Sequence, residues 1–107
     1  MPIVVAILRH LPETCASFNT EARKATLAFL AQQETLLKKY DVKPLGAWVV
    51  GNEHLVIWVM EVASLDTMQQ LMMEPVMMAQ SAFNTIEVKI ATSMEEEAKL
   101  LQQQGIE

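Results

Sequence analysis

Cysteine, glycine and clustered basic residues are all scarce in this sequence of 107 residues. Its single cysteine, Cys15, excludes an internal disulfide and fits a reducing compartment, so the predicted location is the cytoplasm. With three glycines, no repeats and no low-complexity tract, the chain has no evident linker, and residues 1–107 are predicted to form one domain. Eight lysines and arginines against 13 acidic residues, without a basic stripe, argue against nucleic-acid binding.

Long hydrophobic runs are also absent. No apolar run approaches the roughly 20 residues that a membrane span needs, so no membrane partner is expected. The apolar start of the chain lacks a basic segment and a small-residue cleavage site, which favours a strand over a signal peptide. Hydrophobic residues nevertheless make up 51% of the chain. A small monomer has little interior for so many of them, so a second buried surface, most simply a subunit interface, is predicted.

The spacing of apolar residues predicts the element order β-α-β-β-α-β, followed by a C-terminal helix. The stretch "PIVVAIL" is a strand that is apolar on both faces, and a helix follows from about Thr20 to Tyr40. A second helix begins after Ser64, and Pro75 should kink or restart it because proline removes an amide donor. "TIEVKIAT" alternates as a strand, and Ser93 opens the last helix with the spacing of a capping box.

Between the two main helices, "LGAWVVGNEHLVIWVMEV" predicts a β-hairpin that turns at Gly51–Asn52. With those two residues as the loop, Val50 would pair with Glu53 and Val49 with His54. Directly opposed residues share a face of the sheet. One face would then carry Leu45, Ala47, Val49, His54, Val56, Trp58 and Met60.

This order is that of an α+β, ferredoxin-like sandwich with an extra C-terminal helix. Right-handed crossovers would place the first and third strands side by side at the centre of the sheet, and we predict that they run parallel. Two helices cover only one face of such a sheet. The sheet of a second copy is the simplest cover for the other face, so a two-fold homodimer through the sheet faces is predicted.

Four segments carry a resemblance to a known family: "RHLPETC", "VKPLGAW", "EHLVIWVMEVAS" and "TIEVKIATSMEE". On them, nearly the whole chain resembles the dimeric α/β-barrel superfamily, and within it an uncharacterised group of small bacterial proteins. The resemblance implies a dimer with a cavity in each protomer. It does not identify a particular reaction or cofactor, because this superfamily includes both enzymes and simple binding proteins.

His10 and Cys15 lie five positions apart in the loop after the first strand and are the candidate catalytic or metal-binding residues. A histidine near a thiol can favour the thiolate, and both side chains can bind zinc or copper. The alternative is that Cys15 packs as a small apolar residue beneath the loop. A third ligand, His54, is predicted to lie too far away. With parallel strands, six or seven residues at roughly 3.3 Å each would separate it from His10 by about 20 Å.

The methionines of the second helix (Met68, Met72, Met73, Met77 and Met78) form the other candidate site. Thioethers can bind Cu(I), but packing of the helix on the sheet is the favoured interpretation. Methionine-rich packing is adaptable, so a pocket for a small apolar ligand is predicted, with His54, Trp48, Trp58, Met68 and Met72 as binding residues.

Three functions remain open at this point. The first is a small-molecule-binding protein, with or without a cofactor-free enzymatic activity, and the second is a metal- or thiol-dependent site at His10 and Cys15. The third is an assembly or regulatory module without catalysis.

Arg9 and Glu61 are predicted to be neighbours on the central strands, as an ion pair rather than as a catalytic acid and its partner.

Overall fold

The computed structural model describes residues 2–105 and has the predicted order of elements. Short 3-10 turns lie in two of the connections, at Pro12–Thr14 after the first strand and at Gly51–Glu53 after the second. Pro75 does break the second helix, since it occupies the first turn of a separate helix. The elements are β1 (Ile3–Arg9), α1 (Thr20–Lys39), β2 (Lys43–Val50), β3 (Leu55–Glu61), α2 (Leu65–Met72), α3 (Pro75–Ser81), β4 (Thr85–Ala91) and α4 (Met94–Gln103).

Side-chain caps fix where the main helices begin. The Asn19 side chain accepts a hydrogen bond from the Ala22 amide at 2.9 Å at the start of α1. Ser93 caps α4 in the same way by accepting from the Glu96 amide at 3.1 Å, as its spacing predicts. Each cap satisfies a backbone donor that has no partner inside the helix.

The four strands form one sheet in the order β2-β3-β1-β4, with β1 and β3 at its centre as predicted. The predicted parallel direction of β1 and β3 is wrong, because every pair of neighbouring strands is antiparallel. The reason is topological. A crossover through α1 leaves β2 running in the same direction as β1, and the β2–β3 hairpin then reverses the chain.

Antiparallel pairing also separates Arg9 from Glu61, which are not neighbours. Arg9 lies opposite Leu55, whereas Glu61 lies opposite Ile3 at the other end of β1. Arg9 instead approaches Glu87 on β4, with 3.8 Å between Nη1 and Oε2, and both side chains are about half exposed. An exposed pair of this kind contributes little to stability.

The β2–β3 hairpin has a longer connection than predicted. Val50 pairs with Leu55 and Trp48 with Ile57, so four residues, 51–54, form the turn. The pairing differs from the predicted one by two residues, and an even shift leaves each side chain that is still paired on its predicted face, whereas Glu53 and His54 now belong to the turn. Leu45 is the exception, since a bulge between Pro44 and Gly46 leaves it without a partner strand residue.

One face of the sheet and the helices that cover it make the core. Val4, Ala6 and Met60 on this face are at most 6% exposed and pack in one cluster with Leu36 of α1 and Leu71 of α2. Burial of these apolar side chains is the main stabilising contribution, roughly 1.5–3 kcal/mol for each large one.

The opposite face of the sheet is apolar along the central strands and charged on β4, where Lys89 lies opposite Val5 and Glu87 opposite Ile7, and within residues 2–105 no helix lies over it. Val5, Ile7, Ile57 and Val59 alternate with the core residues along β1 and β3, and all four are only half-buried. The terminal helix α4 buries none of its residues. The described chain is accordingly elongated, with extents of 55 × 32 × 17 Å.

Candidate functional site

A cavity of about 530 Å³ lies between the helix-covered face of the sheet and the helices. This volume is within the range of small-molecule sites. Most of its wall is apolar, and one side is an aromatic pair in which Phe29 and Trp58 meet edge to face, 5.8 Å apart. Other apolar lining residues are Ala6, Leu8, Leu37, Val56, Met60 and Ile86.

Four of the predicted ligand-binding residues line this cavity. Met68 and Met72 lie on its helical side and Trp58 on its sheet side, while Trp48 also borders it but is 56% exposed. His54, the fifth, does not border the cavity.

The five methionines of α2, α3 and the break between them do not converge on one point. Met77 lines the cavity together with Met68 and Met72, but Met73 and Met78 are 66% and 56% exposed. Three of the methionines therefore line the cavity, and the other two lie on the protein surface.

Gln80 is a polar cavity residue that the sequence analysis missed. It lies on α3, is 6% exposed, and its Oε1 accepts from Asn84 Nδ2 at 3.3 Å. Its Nε2 is buried and has no hydrogen-bond partner within residues 2–105. A signal was present in the sequence, because Gln80 lies four residues after the buried Val76 and therefore on the same side of the helix.

His10 and His54 lie side by side, contrary to the predicted separation of about 20 Å. Arg9 pairs with Leu55 in the central ladder, and the His10 amide continues that ladder by donating to the His54 carbonyl at 3.1 Å. Their rings meet edge to face with 5.3 Å between centroids. The error follows directly from the wrong strand direction.

Cys15 completes a group of three with these histidines. One ligand atom from each of the three side chains lies within 4.8 Å of the other two, and all three residues are half-buried. The loop is held by its backbone, since the Cys15 carbonyl accepts from the amides of Phe18 and Asn19 at 2.9 and 2.8 Å. His10 and Cys15 both line the cavity, so this group lies at its edge.

The environment of His10 favours its neutral form. Burial lowers the pKa of the imidazole, and the neighbouring His54 lowers it further, while hydrogen bonding between the Asn84 side chain and the imidazole raises it. The His10 Nε2 atom is buried and lacks a hydrogen-bond partner in the described part of the chain. A neutral imidazole retains a lone pair with which it can accept a hydrogen bond or bind a metal ion.

A second polar group lies outside the cavity and joins α1 to the break between α2 and α3. Glu74 Oε1 accepts hydrogen bonds from the Tyr40 hydroxyl and from Lys39 Nζ, the latter at 2.9 Å. The hydrogen bond from Tyr40 does most to lower the pKa of the Glu74 carboxyl, and the bond from Lys39 comes next. The bonds to Glu74 also raise the pKa values of Tyr40 and Lys39. The arrangement is a structural tie between helices.

Several solved structures match this fold, and two of them are of similar size. One is an uncharacterised NIPSNAP domain protein from Burkholderia xenovorans, with a TM-score of 0.58, 10% identity, and coverage of 87% of this chain and 94% of that one. The other is protein Atu4242 from Agrobacterium tumefaciens, with a TM-score of 0.56, 16% identity, and coverage of 86% and 92%. The fold is ferredoxin-like.

At these identities the likeness shows the fold alone, and a fold of this kind supports many functions. No family model and no curated protein matches the sequence. Within residues 2–105, no helix combines the length and the apolar character needed to cross a membrane.

Proposed function

We propose that the protein binds a small molecule that has an apolar body and a head group able to accept a hydrogen bond. The observation that carries this proposal is the apolar cavity of about 530 Å³, which is lined in part by Gln80, a residue whose buried amide nitrogen has no hydrogen-bond partner within residues 2–105.

The head group is argued from the free energy of burying Gln80. A buried donor without a partner costs roughly 1–3 kcal/mol, so native proteins rarely keep one without a compensating role. The Gln80 oxygen already accepts from Asn84, which orients the amide and leaves Nε2 as the free donor. A carbonyl or carboxylate oxygen in the cavity would accept from that nitrogen.

The apolar body is argued from the rest of the wall. Phe29 and Trp58 form a rigid aromatic side, whereas Met68, Met72 and Met77 are flexible thioethers that adapt to the shape of a ligand. This combination favours a lipophilic ligand over a sugar or a nucleotide, which would need many more polar partners than the cavity offers.

The test compares two ligands of the same shape, 2-nonanone and 2-methyl-1-nonene, which differ in the replacement of a carbonyl by a methylene group. Binding is measured by tryptophan fluorescence and by the melting temperature. We expect the ketone to bind about 2- to 12-fold more tightly, the equivalent of one hydrogen bond of about 0.5–1.5 kcal/mol.

Two variants locate the site. Gln80→Met keeps the shape but removes the donor, so it should lose the preference for the ketone. Gln69→Met, at an exposed position on α2, should keep it. The proposal fails if neither ligand binds, or if Gln80→Met discriminates as the unmodified protein does.

We also propose that the protein is a homodimer that packs the two uncovered sheet faces together, as in the dimeric α/β-barrel superfamily that the sequence resembles. Support comes from the apolar residues Val5, Ile7, Ile57 and Val59, which no helix covers. A two-fold axis would place this face against its own copy, which is apolar at the same positions.

Light scattering after size-exclusion chromatography tests the dimer. Ile57→Lys puts a charge at the centre of the uncovered face and should give a monomer, because an unpaired charge is not tolerated in an apolar interface. Leu27→Lys makes the same type of change on the exposed side of α1, where Leu27 is 59% exposed, and should leave a dimer. A monomeric unmodified protein, or a dimeric Ile57→Lys variant, would contradict the proposed interface.

A further inference from the structure

We propose that His10, Cys15 and His54 together bind one Zn²⁺ ion at the edge of the cavity. The proposal does not depend on the apolar ligand, since it rests on the positions of these three side chains alone.

The three candidate ligand atoms lie within 4.8 Å of one another. In a tetrahedral zinc site with bonds of about 2.0–2.3 Å, neighbouring ligand atoms are about 3.3–3.6 Å apart. The side chains therefore need to approach by at most about 1.5 Å, a movement that small side-chain rotations supply.

The backbone already holds these residues together. The hydrogen bond of 3.1 Å between the His10 amide and the His54 carbonyl fixes the two histidines at the end of the central ladder. The Cys15 amide donates to Pro12 at 3.3 Å, which positions the loop. Binding would order few additional groups, and a preorganised site loses less conformational entropy.

The His10 Nε2 atom is buried and has no hydrogen-bond partner among the described residues. Bound water or an ion is one way in which such a buried polar atom is satisfied. Because a thiol and a second imidazole lie close to the His10 side chain, one metal ion would serve all three residues.

The chemistry of these donors favours zinc. Two imidazoles and one thiolate are donors that Zn²⁺ accepts readily, and three protein ligands leave a fourth position open. On binding, the Cys15 thiol releases its proton to solvent and a sulfur–zinc bond forms. Because His10 and Cys15 line the cavity and His54 does not, the open position would face the cavity and take water there.

His54 has a backbone conformation that agrees with a specific role. Its φ of 51° and ψ of 48° place it in the left-handed region, directly after the turn at Gly51–Glu53. A residue with a side chain adopts this conformation at a cost of about 1–2 kcal/mol compared with the right-handed one. Glycine would avoid that cost, but it would not supply an imidazole.

The test begins with reduced protein from which metals have been removed by a chelator. Zn²⁺ is titrated in competition with a chromophoric chelator, and Co²⁺ is used as a spectroscopic substitute. We expect one ion per chain and a thiolate-to-cobalt charge-transfer band. Cys15→Ser, His10→Ala and His54→Asn should each weaken zinc binding at least tenfold, and the serine variant should lose the band.

His54→Asn is chosen because asparagine tolerates the left-handed conformation, so the turn is kept while the imidazole is removed. Asp66→Asn, at an exposed position on α2, is the control for adventitious surface binding and should bind zinc normally. Circular dichroism confirms that each variant is folded.

Three results would overturn the proposal: no stoichiometric zinc, a cobalt complex without the thiolate band, or unchanged affinity in Cys15→Ser. Binding of Cu(I) alone would also overturn the assignment to zinc. The ketone assay is run on the metal-free protein, so the outcome for the metal site and the outcome for the apolar ligand are obtained separately.

Discussion

Replacing Gln80 by methionine should stabilise the ligand-free protein. The change removes a buried amide nitrogen that has no partner within residues 2–105, a group that costs roughly 1–3 kcal/mol to bury. It also removes the 3.3 Å bond from Asn84 to the Gln80 oxygen, a long bond with a net contribution of about 0.5 kcal/mol. Asn84 Nδ2 stays satisfied, because it also donates to the Gln80 backbone carbonyl at 2.9 Å.

The expected net gain is about 0.5–2.5 kcal/mol in the free energy of unfolding, and each kcal/mol raises the melting temperature of a domain of this size by about 4–8 °C. Urea unfolding, followed by circular dichroism at one fixed protein concentration, measures the gain. The matched control is Val76→Ala on the same helix, where Val76 is 9% exposed. It removes two buried methyl groups and should cost about 2 kcal/mol.

A Gln80→Met variant less stable than the unmodified protein would refute the reasoning. It would mean that the amide nitrogen is already satisfied in the free protein, and the argument for a hydrogen-bond-accepting ligand would lose its basis.

Three further predictions concern features away from the cavity. Hydrogen bonds from Tyr40 and Lys39 lower the pKa of the Glu74 carboxyl in the folded protein. The ionised Glu74 therefore stabilises the fold at pH values above the pKa of an unfolded glutamate, and this stabilisation is lost as the pH falls through the lower pKa of the folded state. In urea unfolding across acidic pH, Glu74→Gln should therefore lose part of the pH dependence, and an unchanged profile would contradict this. Ser93→Ala removes the cap of α4 and should therefore reduce the helical circular dichroism signal. The melting temperature should not change, because α4 buries no residue, and a clear drop would show that α4 packs against the rest of the domain. Pro75→Ala should cost only about 0.4–1 kcal/mol in urea unfolding, because proline at the first turn of α3 mainly restricts the unfolded chain, and a larger loss would show a direct packing role.

The fold could be predicted from the sequence because its elements have clear local signals. Period-two alternation marks β4, Ser93 caps the last helix, and Pro75 interrupts the second helix. The order of the strands followed from the handedness of crossovers. The length of the hairpin turn did not follow, because Gly51–Asn52 is also compatible with the longer turn that the chain adopts.

The candidate site was predicted only in part, for a different reason. His10, Cys15 and the cavity residues Trp58, Met68 and Met72 were identified from their chemistry and spacing. His54 was excluded from the metal group because β1 and β3 were predicted to run parallel. The distance between two residues on neighbouring strands depends on the relative direction of those strands. Gln80 was missed because one polar residue in a methionine-rich helix looks like a surface position until its neighbours are known.

The hydrogen bond between the His10 amide and the His54 carbonyl has a consequence for how the site can be inherited and altered. The two histidines come from remote parts of the chain and meet only at one register of β1 and β3. An insertion or deletion of a single residue within either strand would turn one imidazole to the other face or move it along the ladder. The group of His10, Cys15 and His54 therefore forms only in the observed register of β1 and β3. A related protein that uses the same three side chains as one site must also have this register.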